Sequence, residues 1–238
     1  MFRTKTSRIL RALSYGQFAV FFEPQAVSIN KARLEHLASL GLDVSKKTVL
    51  EVGAGIGLLS YFFEERGCQM VVTDGNHKNV QEIKRRFPHR KVELVDLDQT
   101  HDLTSLGRFQ IIFCYGTLYH LSKPEQGLKA LAEICDEMIL LETCVDLGKS
   151  PEICFVKDPV ASNQATSGIG CRPTRSWVME RLLMYFRNAY VTRTQPRYPD
   201  FVLDWEKPPT QLLYRAVFVG SKHPLRNPNL LKEIPERQ

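Results

Sequence analysis

The stretch Thr48-Val49-Leu50-Glu51-Val52-Gly53-Ala54-Gly55-Ile56-Gly57-Leu58-Leu59 constrains this chain more than any other. It reads as a short apolar strand, a turn with three glycines and the start of a helix. The spacing is G-x-G-x-G, not the G-x-G-x-x-G of dinucleotide-binding folds. Glycine permits positive φ and lets another group approach the backbone, so glycines at alternate positions suit a loop that touches a ligand. The free N–H groups of the next helix add a weak positive pole. Glu51 precedes the loop, where a carboxylate disfavours a pyrophosphate and suits a cationic or hydroxyl-bearing ligand. A plain strand-to-helix turn is the competing reading.

The rest of the chain supplies context. Apolar runs predict strands at 48–52, 69–73, 91–95, 109–114, 137–143, 189–192 and 211–219. Between them, 3.6-residue periodicity predicts helices at 24–40, 58–66, 78–87, 124–135 and 175–188. Pro24 suits a first helical turn, with Val27, Leu34, Leu37 and Leu40 as its apolar stripe and Gly41 as its stop. Thr174 reads as the N-cap of the last helix, whose stripe is Val178, Leu182, Met184 and Tyr185. Strands alternating with helices of about ten residues imply βαβ crossovers and a mainly parallel sheet covered on both faces. In such a sheet ligands sit beyond the carboxyl ends of the strands. The glycine loop, Asp74, Asp96 and the segment Tyr115-Gly116-Thr117-Leu118-Tyr119-His120 all follow strand ends, so they converge on one crevice.

The loop, with Glu51, Gly53, Gly55 and Gly57, resembles motif I of the class I S-adenosylmethionine (SAM) methyltransferases, written E/D-x-G-x-G-x-G. The resemblance covers about residues 46–145, and its later strands match in outline. It implies an α/β, Rossmann-like doubly wound sheet of seven strands, mostly parallel with an antiparallel last strand. It implies SAM as cofactor and S-adenosylhomocysteine as product. Asp74 would be the acid that accepts hydrogen bonds from the ribose diol, with an N-cap or turn role as the alternative. Asp96 and Leu97 would lie along the adenine, with Asp98 as the alternative acid. Glu51, Gly53, Ala54, Gly55, Gly57, Gly75, Cys114 and Tyr115 complete the implied cofactor set, with backbone carbonyls near Cys114 meeting the methionyl ammonium. The segment after the fourth strand lacks the N/D-P-P-Y/F of the amide methyltransferases. It is similar to the small-molecule and O-methylating branches.

His120 is the candidate general base, because an imidazole can take a hydroxyl proton at neutral pH. A capping or packing role is the alternative. Tyr119, Arg172 and Arg175 are candidate substrate residues. Arg172 and Arg175 flank Pro173 and, with Arg193 and Arg197, could form a guanidinium cluster for an anionic acceptor, or a solvated basic face. Asn30 and Arg33 lie at the edge of the first helical stripe, either solvent-facing or on the cofactor side. Residues 146–173 read as a long loop or small insertion, and the aromatic and proline-rich 196–209 as an acceptor lid or a surface loop.

The expected organisation is an N-terminal helical segment at 1–45 covering substrate or cofactor, a SAM-binding domain at 46–221, and a flexible polar tail at 222–238. The net charge of +6 comes from basic residues spread along the chain, so it disfavours nucleic acid as a partner and mildly favours anions. The six cysteines form no C-x-x-C, and no metal site is expected. No apolar run nears the roughly 20 residues that span a bilayer, and the basic start lacks a signal-peptide core, which leaves the cytoplasm as the default location. The function expected from these features is SAM-dependent O-methylation of a small molecule, sugar or peptide carboxylate in a biosynthetic context. RNA modification and a catalytically inactive SAM-fold subunit are the alternatives. Oligomeric state is not readable.

Overall fold

The computed structural model describes residues 16–99, 102–158, 164–211 and 213–238. Readings that fall on 1–15 (the basic start and Tyr15), on 159–163 and on Leu212 lie outside the described residues. Strands β1 (Thr48–Glu51), β2 (Gln69–Asp74), β3 (Lys91–Leu94), β4 (Phe109–Tyr115) and β5 (Cys135–Val145) pair in parallel in the order β3-β2-β1-β4-β5. Strands β6 (Ile153–Lys157) and β7 (Ile169–Pro173) form a separate antiparallel hairpin. Strand β9 (Tyr214–Ser221) pairs antiparallel with both β5 and β8 (Asn188–Thr192). Strand β10 (Leu230–Leu231) closes that edge against β8, giving an eight-stranded sheet. The helices are α1 (Pro24–Ser39), α2 (Tyr61–Glu64), α3 (His77–Arg86), α4 (Pro124–Glu133) and α5 (Arg175–Phe186).

The sheet is apolar on both faces because helices cover both. Successive strand residues point to opposite faces. Leu50, Val52, Ile112 and Cys114 pack with Leu128 and Leu131 of α4 and Val178, Leu182 and Phe186 of α5. Val49, Ile111 and Phe113 face the other way, against Ile29 and Leu37 of α1 and Phe62 and Phe63 of α2. The strand order reverses between β1 and β4, which opens the crevice at their carboxyl ends.

Several expectations change. The predicted helix at 58–66 shrinks to Tyr61–Glu64, because residues 53–60 are used in turns around the glycine loop. The buried stripe of α1 is Ile29, Ala32, Arg33, His36 and Leu37, while Val27 is exposed. On α5, Met184 is exposed, and Trp177 and Phe186 join Val178 and Leu182 inside. Thr174 does cap α5: its hydroxyl accepts from the Trp177 N–H at 3.2 Å, a contact of about 1 kcal/mol. Phe201, Val202 and Trp205 are buried while Arg197, Leu203 and Glu206 are exposed, so 196–209 is a surface loop stapled to the core by its aromatic side chains. The 146–173 insertion is built around the β6–β7 hairpin.

The polar tail is not a free end. Leu230 and Leu231 pair with Thr192 and Val191, adding an eighth strand to the seven expected. The Trp205 indole N–H and Gln195 Nε2 both donate to Gln238 Oε1 at 2.8 Å. Asn227 Nδ2 donates to Leu40 O at 2.8 Å, tying the tail to the end of α1. Deleting 227–238 is therefore expected to cost about 2 kcal/mol or more, since several part-buried hydrogen bonds worth about 1 kcal/mol each are lost with the β10 packing. Urea unfolding followed by tryptophan fluorescence measures it, and an unchanged midpoint would show the tail to be passive.

Candidate active site

The glycine loop is shaped by close approach. Gly53 and Gly55 have φ of 65° and 59°, and a Cβ at either would collide, with the Thr117 side chain at Gly53 and with the Phe21 ring at Gly55. The Gly55 N–H donates to Asp74 Oδ2 at 2.7 Å, which couples the loop to the end of β2. Asp74 Oδ1 accepts from the Asn76 N–H at 2.8 Å and from Asn79 Nδ2 at 3.0 Å. The carboxylate has about four acceptor sites, so Oδ2 keeps one for a ligand hydroxyl. Burial outweighs these hydrogen bonds and pushes the Asp74 pKa up to about 6.

A cavity of about 360 Å³ runs along this edge, within the usual range for a small-ligand site. Gly53, Ala54, Gly55, Asp74, Gly75, Asp96 and Leu97 line one end. Asp96 Oδ2 there accepts from the Thr166 hydroxyl at 3.0 Å, so residues beside the hairpin close over it. Asp98 turns away, its carboxylate accepting from the Ser122 and Lys123 N–H groups at 2.9 Å ahead of α4. Of the two candidate acids, Asp96 is the one that faces the cavity. Val20 and Phe21, from the 3-10 segment Gly16–Phe22, cover the glycine loop.

At the other end stand Tyr115, Tyr119, His120, Arg33, Arg172 and Arg215. His120 Nδ1 lies 2.5 Å from Asp158 Oδ2. Asp158 is buried at the end of β6, and its backbone N–H donates to Gly168 O across the hairpin. Glu142 is fully buried on β5 and is gripped from two sides. Arg33 Nη2 donates to Oε2 at 2.5 Å and Arg215 Nη1 to Oε1 at 3.0 Å. Burial alone would raise the Glu142 pKa, but the two guanidiniums more than offset it and hold the pKa below the ordinary range. Arg215 lies opposite Cys144 and Glu142 opposite Val217, a diagonal on one sheet face that brings the pair together. Arg215 Nη2 also donates to the Tyr119 hydroxyl at 3.3 Å.

Four expected site residues, Glu51, Gly57, Cys114 and Arg175, do not line the cavity. Glu51 is fully buried and accepts from the Ser60 hydroxyl at 2.5 Å, and burial pushes its pKa up to about 7. Gly57 is enclosed, its carbonyl accepting from Arg90 Nη1 at 2.6 Å. Cys114 points into the core, with its thiol pushed up to about 12 by burial. Arg175 stacks 3.8 Å from the Trp205 ring and donates to Pro235 O at 2.8 Å. Arg193 donates to Pro228 O at 2.7 Å and Arg197 is exposed, so the expected four-arginine cluster does not form. Arg172 instead shares the cavity with Arg33 and Arg215. Sequence reading missed Glu142, Asp158 and Arg215. Glu142 and Arg215 carried a signal, as charges set within the apolar runs of β5 and β9.

A methyltransferase-domain family model matches residues 27–166, more than half of the chain. The chain belongs to this methyltransferase family. Its fold is that of the class I SAM-dependent enzymes. The N-terminal domain of EvdMO1, crystallised in the presence of S-adenosylhomocysteine and D-fucose, is 19% identical with a TM-score of 0.60, over 82% of each chain. Magnesium protoporphyrin IX methyltransferase from Synechocystis PCC 6803, with bound SAM, is 14% identical with a TM-score of 0.56, over 93% of this chain and 92% of that one. The 1,6-didemethyltoxoflavin-N1-methyltransferase of Burkholderia thailandensis is 16% identical with a TM-score of 0.54, over 91% and 88%. No curated protein matches the chain. No helix among the described residues is long and apolar enough to cross a membrane.

A ligand hydroxyl bonding to ionised Asp74 favours the charged form. S-adenosylhomocysteine affinity is therefore expected to be full above pH 6 and to weaken as pH falls below it. Asp74→Asn should cost about tenfold or more in affinity, the worth of a charge-assisted hydrogen bond, and flatten this profile. Calorimetry across pH 5–8 tests this, and a flat wild-type profile would make Asp74 a purely structural cap. For Glu51 the folded pKa lies above the unfolded value near 4.5, so its burial costs stability progressively as pH rises from 4.5 through 7. Glu51→Gln should raise the melting temperature more at pH 8 than at pH 4.5. Equal shifts would refute the assignment.

Proposed function

We propose that this protein transfers a methyl group from SAM to a hydroxyl of a small-molecule acceptor. The fit to the cofactor rests on the backbone cradle at Gly53 and Gly55, the spare acceptor site on Asp74, and Asp96 and Leu97 beside it. Bound there, SAM would supply a methyl group on a cationic sulfonium, which needs an aligned nucleophile and no covalent help from the protein. The neighbours crystallised in the presence of S-adenosylhomocysteine and D-fucose, or with bound SAM, support this reading of the cavity.

The observation that carries the O-methylation is the His120–Asp158 pair at the far end. Asp158 accepts from Nδ1–H, which fixes the tautomer and leaves Nε2 as the proton acceptor. An imidazole so held takes the proton of an acceptor hydroxyl as that oxygen becomes the nucleophile. Tyr119, with its ring centroid 4.0 Å from that of His120, walls the same space. Burial raises the pKa of Tyr115 and Tyr119, so both stay neutral phenols that orient a substrate and do not compete as bases. Phe21 over Gly55 and Thr166 on Asp96 cover the cofactor end of the cavity, which limits the access of water to it.

His120→Ala is expected to lower turnover about 100-fold or more, the usual share of a general base, with S-adenosylhomocysteine affinity unchanged. The assay incubates the protein with SAM and a panel of hydroxylated metabolites and follows S-adenosylhomocysteine release. Turnover unaltered by the substitution would place His120 among the structural residues.

A further inference from the structure

The acceptor end of the cavity gathers three guanidiniums, and the carboxylates there engage only two of them. Three guanidiniums, Arg33, Arg172 and Arg215, line it. Two of them share Glu142, and Arg215 Nε also lies 3.4 Å from the half-buried Asp200. Arg172 has no carboxylate within salt-bridge distance among the described residues. Its fold contacts use Nη1 alone, donating to Cys171 O at 2.7 Å and to Tyr119 O at 3.4 Å. The Nε–Nη2 edge, the fork that takes a planar carboxylate in two parallel hydrogen bonds, has no hydrogen-bond partner among the described residues.

Two side chains of the same wall carry unsatisfied polar atoms. The Tyr115 hydroxyl and Arg33 Nε are buried behind it without a hydrogen-bond partner among the described residues. Buried donors left unpaired cost free energy, which a small shift of either side chain toward a bound acceptor would relieve. Tyr119 ties the cluster to the base. Arg172 and Arg215 stand 5.4 and 4.9 Å from its ring centroid, and the His120 ring packs against it. SAM carries two positive groups and one carboxylate, so it does not cancel the local charge.

We propose that the methyl acceptor is a small hydroxy acid, with its carboxylate seated on the free edge of Arg172 beside Arg215 and the Tyr115 hydroxyl, and its reacting hydroxyl directed to His120. This rests on the O-methylation reading and names its substrate class. Arg172 is then an acceptor-recognition residue, supplied by the same hairpin that supplies Asp158.

The test is calorimetry on the full chain in two stages. S-adenosylhomocysteine is titrated first, and failure of wild-type protein to bind it would sink the cofactor reading on which the proposal stands. The saturated protein is then titrated with D-glucuronate, D-glycerate and 4-hydroxybenzoate, with D-glucose, glycerol and 4-hydroxybenzamide as neutral counterparts, and with glucose 6-phosphate. At least one acid is expected to bind about tenfold or more tightly than its neutral counterpart, and more tightly than the phosphate ester. Arg172→Ala should weaken the acid about tenfold or more and leave S-adenosylhomocysteine affinity unchanged, which also shows the variant folded. Arg172→Lys should recover part of the loss, because it restores charge without the fork. Equal binding of acids and neutral counterparts, no acid binding at all, or preference for the phosphate ester overturns the carboxylate site. A parallel fall in S-adenosylhomocysteine affinity overturns it too, by assigning Arg172 to the methionyl carboxylate.

Discussion

The buried carboxylate of Glu142 is the interaction on which the half of the cavity proposed for the acceptor depends. It is fully enclosed in the middle of β5, where an unpaired charge would be strongly destabilising. Arg33 reaches it from α1 and Arg215 from β9, so one carboxylate joins the first helix, the central sheet and the late antiparallel strand. Removing Glu142 would leave the buried Arg33 guanidinium without its carboxylate, at a cost of about 3–5 kcal/mol. Arg33 and Arg215 also line the cavity, so the fold's tightest electrostatic knot lies directly behind the proposed acceptor pocket.

The cofactor half depends on a different coupling. Gly55 N–H to Asp74 joins the loop after β1 to the end of β2, and Thr117 fills the space that Gly53 leaves open, its hydroxyl donating to Val52 O at 3.0 Å. Three strand ends are thereby locked to each other before any ligand arrives. The hairpin then spans both halves, with Thr166 on Asp96 at one end and Asp158 on His120 at the other. An insertion that interrupts the strand–helix rhythm is what converts an open crevice into an enclosed site.

Much of this was legible in the sequence because local pattern decides it. The apolar strands, their helices and the acids at strand ends follow from periodicity, and the glycine spacing marked the loop. What was missed depends on side chains far apart in the chain. Arg215 meets Glu142 across 73 residues, and Asp158 meets His120 across 38. Arg175 looked equivalent to Arg172, yet one begins α5 and turns to Trp205 while the other ends β7 and faces the cavity. Glu51 and Gly57 matched a motif and proved to support the loop from beneath. The tail was read from its polarity, but its two adjacent leucines and its terminal amide decide its place.

The cleft is proposed to hold SAM with the acceptor space at the Glu142 end. A crystal structure grown with S-adenosylhomocysteine should show the nucleoside beside Asp74, Asp96 and Leu97, and the sulfur directed toward the space between Tyr115 and His120. Absence of the molecule from this cleft at saturating concentration, or a sulfur directed away from His120, would show that the cofactor and acceptor are not held in this way.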